Sequence, residues 1–182
     1  LAGLTAVFIF AVQMLNFPVA AGTSGHLLGA ALAMVLVGPY AATLALSVVL
    51  IIQAFLFADG GLTALGLNIF NMGVVGVWAS FGIFFILKKL LPKTKSSIVV
   101  ASFIAALLSV PAAAAGFVLQ YAIRANATFS VSTVLSAMIG THVFIGIGEA
   151  IITALTVSAV LASRSDLVFG WDNQNTKLEI RS

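Results

Sequence analysis

The placement of charge constrains this sequence more than any other feature. No charged side chain occurs in residues 1–58, and none occurs in 60–87, 96–123 or 125–148. A water-facing surface needs charged and polar groups to cover it. With 7% charged residues, against ~25% in a soluble domain, this chain cannot build one. Uncharged runs of this length suit hydrocarbon. Inside lipid the backbone must satisfy its own hydrogen bonds, which favours helices. The sequence therefore reads as an all-α integral membrane protein. A soluble enzyme, a nucleic-acid binder and a disordered chain are excluded. The net charge of +3 comes from Lys and Arg at helix ends and does not form a nucleic-acid patch.

Breaks in the apolar runs divide the chain. Six helical segments are expected, at about 1–15, 26–37, 40–57, 66–87, 97–121 and 131–161. Asn16-Phe17-Pro18 ends the first segment, because proline disfavours helix at the residue before it. The second has 12 residues between a Gly-rich loop and Gly38-Pro39. At ~1.5 Å per residue it falls short of a ~30 Å hydrocarbon core. The loop before it is expected to dip into the membrane, where protein or a water-filled cavity must surround it. The domain reading is a polytopic membrane domain over 1–163 and a polar cytoplasmic tail over 164–182. The chain opens at Leu1 inside an apolar run without Met. That pattern suggests a native amino terminus upstream and a seventh helix.

Alternation orients the segments. If the loop of Lys88, Lys89, Lys93 and Lys95 is cytoplasmic, then Arg164, Lys177 and Arg181 are too, leaving Arg124 alone outside. A bias of seven to one satisfies the positive-inside rule. The loops at 16–25, 59–66 and 124–130 then face outward.

Few residues on this scaffold can carry chemistry. His26 follows Gly22-Thr23-Ser24-Gly25 at the start of the short segment. Imidazole is a ligand for Zn, Cu, Ni and Co, and a helix-start histidine can equally bond its own loop. Asp59 sits in an outer turn, where it can attract an incoming cation, or simply make the turn. Asn68 and Asn71, three apart, share a helical face and could support a ligand-bound imidazole. Gly25 and Gly29, with Ala33, form a small-xxx-small face suited to close helix packing. His142 and Glu149 lie two turns apart on one helix, at expected depths of ~17 Å and ~27 Å below its outer end. A buried carboxylate needs a partner, a proton or a wet cavity, so Glu149 is assigned a coupling or structural role. The run Ala112–Ala115 with Ala101, Ala105, Ala106 and Gly116 can dock another membrane subunit or pack internally. With no cysteine, any metal must be held by N or O ligands. No zincin, nucleophile-elbow or phosphate-loop motif is present.

Several stretches taken in order are specific. They are Gln13-Met14-Leu15-Asn16-Phe17-Pro18, Gly22-Thr23-Ser24-Gly25-His26-Leu27-Leu28-Gly29, Gly38-Pro39, Gln53-Ala54-Phe55-Leu56-Phe57-Ala58-Asp59-Gly60-Gly61, Asn68-Ile69-Phe70-Asn71-Met72-Gly73 and His142-Val143-Phe144-Ile145-Gly146-Ile147-Gly148-Glu149-Ala150. Together they closely resemble the cobalt/nickel-specific membrane component of energy-coupling factor (ECF) ABC transporters, the CbiM/NikM type, over nearly the whole chain. The resemblance implies capture of Co²⁺ or Ni²⁺ from outside a prokaryotic cell membrane, with no reaction catalysed by this chain and no cofactor. It implies a coupling membrane subunit (T component), a pair of ABC ATPases and a small accessory membrane subunit as partners. It also implies a nearly planar set of four nitrogens: the terminal amine, a backbone nitrogen, a second-position His and the loop His, which maps to His26. Such a set suits Ni²⁺ and low-spin Co²⁺ better than Zn²⁺. Family members open Met-His-Ile-Pro, which this sequence does not contain at its start. His142 lies in a motif of its own and is read as a supporting residue. Two alternatives are an integral membrane metalloenzyme built on His26, His142 and Glu149, and an ECF specificity component for an organic vitamin.

Overall fold

The structure, a computed structural model, describes residues 1–14, 16–20, 23–123 and 129–171. Gly22, Arg124 and the tail charges at Lys177 and Arg181 lie outside the described residues. All six expected segments are helical. The elements run α1 (Ala2–Gln13), β1 (Asn16–Ala20), β2 (Thr23–His26), α2 (Ala30–Val37) and α3 (Pro39–Leu56). A continuous rod, Leu62–Leu90, follows. It consists of a 3₁₀ turn (Leu62–Ala64), α4 (Leu65–Asn68), a π-helical stretch (Ile69–Gly76) and α5 (Val77–Leu90). α6 (Lys95–Ile123), α7 (Val131–Ser163) and a 3₁₀ turn (Ser165–Leu167) close the described chain. Pro39–Leu56, Leu62–Leu90, Lys95–Ile123 and Val131–Ser163 are each long and apolar enough to cross a membrane. The fold is thus a multi-pass α-helical membrane bundle, with one two-stranded antiparallel hairpin in the loop before α2.

α2 is the axis of the bundle. It starts at Ala30, later than the expected 26, because β2 holds the chain extended through His26 and Gly29 then turns it with φ +71°. Gly25 therefore lies in a strand, paired with Phe17, and shares no helix face with Gly29. A helix apolar on every side belongs in a core. Ala30, Ala31, Ala33, Met34 and Val35 are fully buried, enclosed by α3, α5, α6 and α7. At eight residues it is ~12 Å long, so its first turn sits deep inside the bundle. Gly38, with φ +82°, ends it, and Pro39 takes the first position of α3, where its missing N–H costs nothing. Two carbonyls of the last turn accept from beyond α7: Gly170 N–H donates to Val35 O at 3.2 Å and Phe169 N–H to Leu36 O at 3.3 Å.

The small-residue face of α6 packs internally. Ala101, Ala105, Ala106, Ala113 and Ala114 are buried, and α7 lies along this helix. Pro111 has no N–H to give the carbonyl four residues back. Gly146 of α7 approaches that same carbonyl, Leu107 O, so closely that a Cβ would stand 2.7 Å from it. Apolar side chains such as Leu44, Phe55, Phe144 and Leu155 are left exposed on the outside of the bundle, where lipid would cover them.

Two ends result. At one, Lys95 Nζ donates to Leu161 O at 2.7 Å, and the residues after α7 meet Gly38 and Phe84. Lys88 and Lys89 fall in the last turn of α5 at this end. The opposite end carries the hairpin, the α3–α4 turn and Asn68.

Candidate functional site

The hairpin places His26 at the mouth of α2, half-buried. Its Nδ1 lies 2.9 Å from Leu27 O. A carbonyl only accepts, so Nδ1 donates, and in the neutral ring Nε2 keeps a lone pair. A histidine ring is commonly fixed for metal binding in this way. His26 lines a cavity of about 270 Å³ with Leu50, Gln53, Ala54, Asp59, Gly60, Leu65, Asn68 and Met72. Three residues singled out by the sequence therefore converge: His26, Asp59 and Asn68. Asp59 is set by the turn after α3, where its N–H donates to Gln53 O at 3.2 Å. Asn68 Nδ2 donates to Gly60 O at 3.0 Å, holding that turn against the rod.

Asn71 does not join Asn68. Between them the rod changes from α to π geometry, whose i→i+5 turn rotates successive side chains differently. Asn71 instead exchanges two hydrogen bonds with Gln120 of α6, Nδ2 to Oε1 at 2.8 Å and Nε2 to Oδ1 at 3.1 Å. His142 Nδ1 donates to Met138 O, one turn back on α7, at 2.7 Å.

Glu149 is 3% exposed. Leu28 N–H donates to its Oε2 at 2.9 Å and Gly29 N–H to its Oε1 at 2.6 Å. The depth expected from α7 alone put Glu149 far below any outer site. The hairpin, however, carries the loop down to it, since α2 is so short. With both oxygens engaged on the loop backbone, Glu149 is not arranged to share an ion with His26 and His142. Among the described residues no three His, Asp or Glu gather to hold a metal. The metalloenzyme arrangement is therefore not formed.

Two residues near the site stood in the sequence stretches quoted above but were assigned no role there. Gln13 donates from Nε2 to Leu28 O at 2.6 Å. Gln53, 2% exposed, lines the cavity, and its Nε2 has no hydrogen-bond partner among the described residues. A lone amide inside a charge-free apolar helix was the available signal, since polar groups in a membrane segment are costly and tend to be functional.

Comparison with known proteins agrees with this architecture. Residues 1–167 match the family model described as CbiM, cobalt uptake substrate-specific transmembrane region. A fused NikMN-type protein of Archaeoglobus fulgidus, assigned by name to nickel transport, is 39% identical over 166 residues. That match covers 91% of this chain and 54% of the relative, so the chain spans about half of that protein's length. A cobalt transport protein CbiM of Sorangium cellulosum is 32% identical over 171 residues, covering 91% of this chain and 74% of the relative. A crystal structure of a transition metal transporter superposes with a TM-score of 0.76 at 29% identity, covering 99% of this chain and 80% of that one.

Proposed function

The chain belongs to the CbiM family of cobalt-uptake substrate-specific transmembrane regions, and from that premise we propose that it captures Co²⁺ or Ni²⁺ at the outer face of a prokaryotic cell membrane. It passes the ion inward as the substrate-specific subunit of an energy-coupling factor transporter. A coupling membrane subunit, an ABC ATPase pair and a small accessory membrane subunit complete the machine. This chain selects the metal, and its partners hydrolyse ATP.

The observation that carries this reading is the ligand-ready His26 in a polar cavity. Nδ1 is committed to Leu27 O, which leaves Nε2 to a metal. Asp59 contributes a carboxylate that raises the local cation concentration. Asn68 and Gln53, whose Nε2 has no partner among the described residues, line the same cavity and supply dipoles that can orient the other ligands. The cavity lies at the end opposite Lys88, Lys89 and Lys95, and a basic end facing the cytoplasm makes it the outer one. The C-terminal tail then lies inside. Among the described residues the cavity of about 270 Å³ is lined by His26, Gln53, Asp59 and Asn68 and by no Phe, Tyr or Trp, whereas organic ligands are usually held by apolar and aromatic side chains, which favours a metal over a vitamin. The family resemblance implies further nitrogen ligands beside His26, giving a square, all-nitrogen site.

The test is titration of Co²⁺, Ni²⁺ and Zn²⁺ into the protein as its gene encodes it, solubilised in detergent, beside His26→Ala. Co²⁺ or Ni²⁺ should bind in preference to Zn²⁺. His26→Ala should weaken binding by at least about 100-fold, beyond the ~10–100-fold typical of residues behind the ligands, with the thermal transition kept. Wild-type affinity in the variant would overturn the reading.

A further inference from the structure

The three residues after His26 are gripped at nearly every polar backbone atom. Leu27 O accepts from the His26 ring at 2.9 Å. Leu28 N–H and Gly29 N–H donate to the two oxygens of Glu149 at 2.9 and 2.6 Å. Leu28 O accepts from Gln13 at 2.6 Å, and Gly29 O accepts from Ala33 N–H at 2.9 Å. Ile9 closes the remaining side, since a Cβ on Gly29 would stand 2.9 Å from its Cγ2. Glu149 reaches this segment from α7, 121 residues away in sequence from Leu28.

We propose that Glu149 is a positioning residue for metal capture, fixing through Leu28 and Gly29 the backbone that aims the His26 ring. The proposal rests on the reading of His26 as a ligand. The link is short and mechanical. The ring is oriented by Leu27 O, and Leu27 is bonded directly to Leu28, whose N–H is bound to Glu149. A shift of the 28–29 amides therefore moves the carbonyl that holds the imidazole. An ion in a square site tolerates little error in ligand placement, so the anchor is read out as affinity and spectrum. Outer groups behind a metal ligand act in this way.

The chemistry explains why a carboxylate stands here. Two N–H donors approach two separate oxygens, and only a carboxylate offers an acceptor to each. The two amides precede the first turn of α2, whose N-terminal dipole favours a negative group. Among the described residues no Lys, Arg or His forms an ion pair with Glu149, so these N–H groups and that dipole are what the carboxylate has. An amide at 149 would turn its NH₂ toward one of the donors and lose that bond. An aspartate would keep both carboxyl oxygens but end one methylene short of the loop.

The experiment compares wild type, His26→Ala, Glu149→Gln and Glu149→Asp in the whole protein in lipid nanodiscs. Co²⁺ is titrated while its d–d absorption is recorded. Separately, amide hydrogen exchange of residues 23–30 is followed without metal. Both Glu149 variants should bind Co²⁺ ~10–100-fold more weakly, with a shifted d–d band. Their Leu28 and Gly29 amides should exchange about 10-fold faster or more, as local opening becomes easier. Wild-type affinity and spectrum in a folded Glu149 variant would overturn the proposal, whatever the exchange shows. If Glu149→Gln does not fold, Glu149→Asp decides by the same criterion. Failure of the underlying ligand reading looks different. In that case His26→Ala itself binds Co²⁺ like wild type, and both readings fall together.

Discussion

The two ends of α2 solve the same problem with different groups. Each end of a helix leaves backbone groups without partners, and α2 exposes both ends inside the bundle. At the cavity end the N–H of Gly29, the residue that caps α2, and that of Leu28 just before it are met by a side chain, Glu149. At the basic end the acceptors of Val35 and Leu36 are met by backbone, the N–H groups of Gly170 and Phe169. Both ends turn on a glycine with positive φ, Gly29 and Gly38, and both glycines are crowded, by Ile9 and by the Phe169 ring. Backbone-to-backbone caps hold the fold whatever the local sequence. A side-chain cap makes one end depend on a single residue of another helix. The end that carries the candidate ligand is the one tied to α7 in this way.

The largest expected effects come from forcing a Cβ into each turn. Gly38→Ala should cost about 1–3 kcal/mol, since its φ +82°, ψ 166° lies where essentially only glycine is found. Its thermal transition should fall, while the Co²⁺ affinity of the folded fraction stays at the wild-type value. Gly29→Ala should lower stability by a similar or smaller amount, because αL is less costly to a side chain, and should weaken Co²⁺ binding as well. The two measurements together decide the matter. Equal loss of affinity in both variants would mean that the ends are not functionally distinct.

A smaller effect of opposite sign is expected at Gln53. Its Nε2 is buried without a partner among the described residues, a situation that costs about 1–3 kcal/mol. Gln53→Leu should therefore leave the metal-free protein as stable or more stable in thermal unfolding. Metal affinity should fall, because Gln53 lines the cavity that holds His26. A loss of stability with unchanged affinity would show that the amide serves packing at this end rather than capture.

Much of this architecture was legible in the sequence. Charge-free runs and their Gly/Pro boundaries located all six helices, since lipid permits few other structures. His26, Asp59 and Asn68 could be placed near one another because turns at one end of a bundle are neighbours. What stayed hidden depended on depth and on local helix geometry. The reach of Glu149 to the loop requires knowing that α2 has eight residues and that the hairpin descends to meet it. The parting of Asn68 from Asn71 requires a π-turn, which three-residue spacing does not reveal. The Ala face of α6 was equally compatible with a partner subunit until the burial of Ala101, Ala105 and Ala106 assigned it inward.

The smallest effect is expected just beyond α7, in the turn leading to the backbone cap of α2. Arg164 pairs with Asp166 through two hydrogen bonds, at 2.9 and 2.8 Å. The bonded guanidinium holds the Asp166 carboxyl below its usual range. Both side chains stand in solvent, at 63% and 60% exposure. An exposed pair gains little, because water and salt screen the attraction and the long side chains lose freedom. The N–H groups that matter at this end belong to Phe169 and Gly170, which Arg164 does not touch. Arg164→Ala should therefore leave both the thermal midpoint and Co²⁺ affinity unchanged within error, at low and at high salt. A clear drop in the midpoint that disappears in high salt would mean that the ion pair, not the backbone, orders residues 168–171, and that the basic end too depends on side chains.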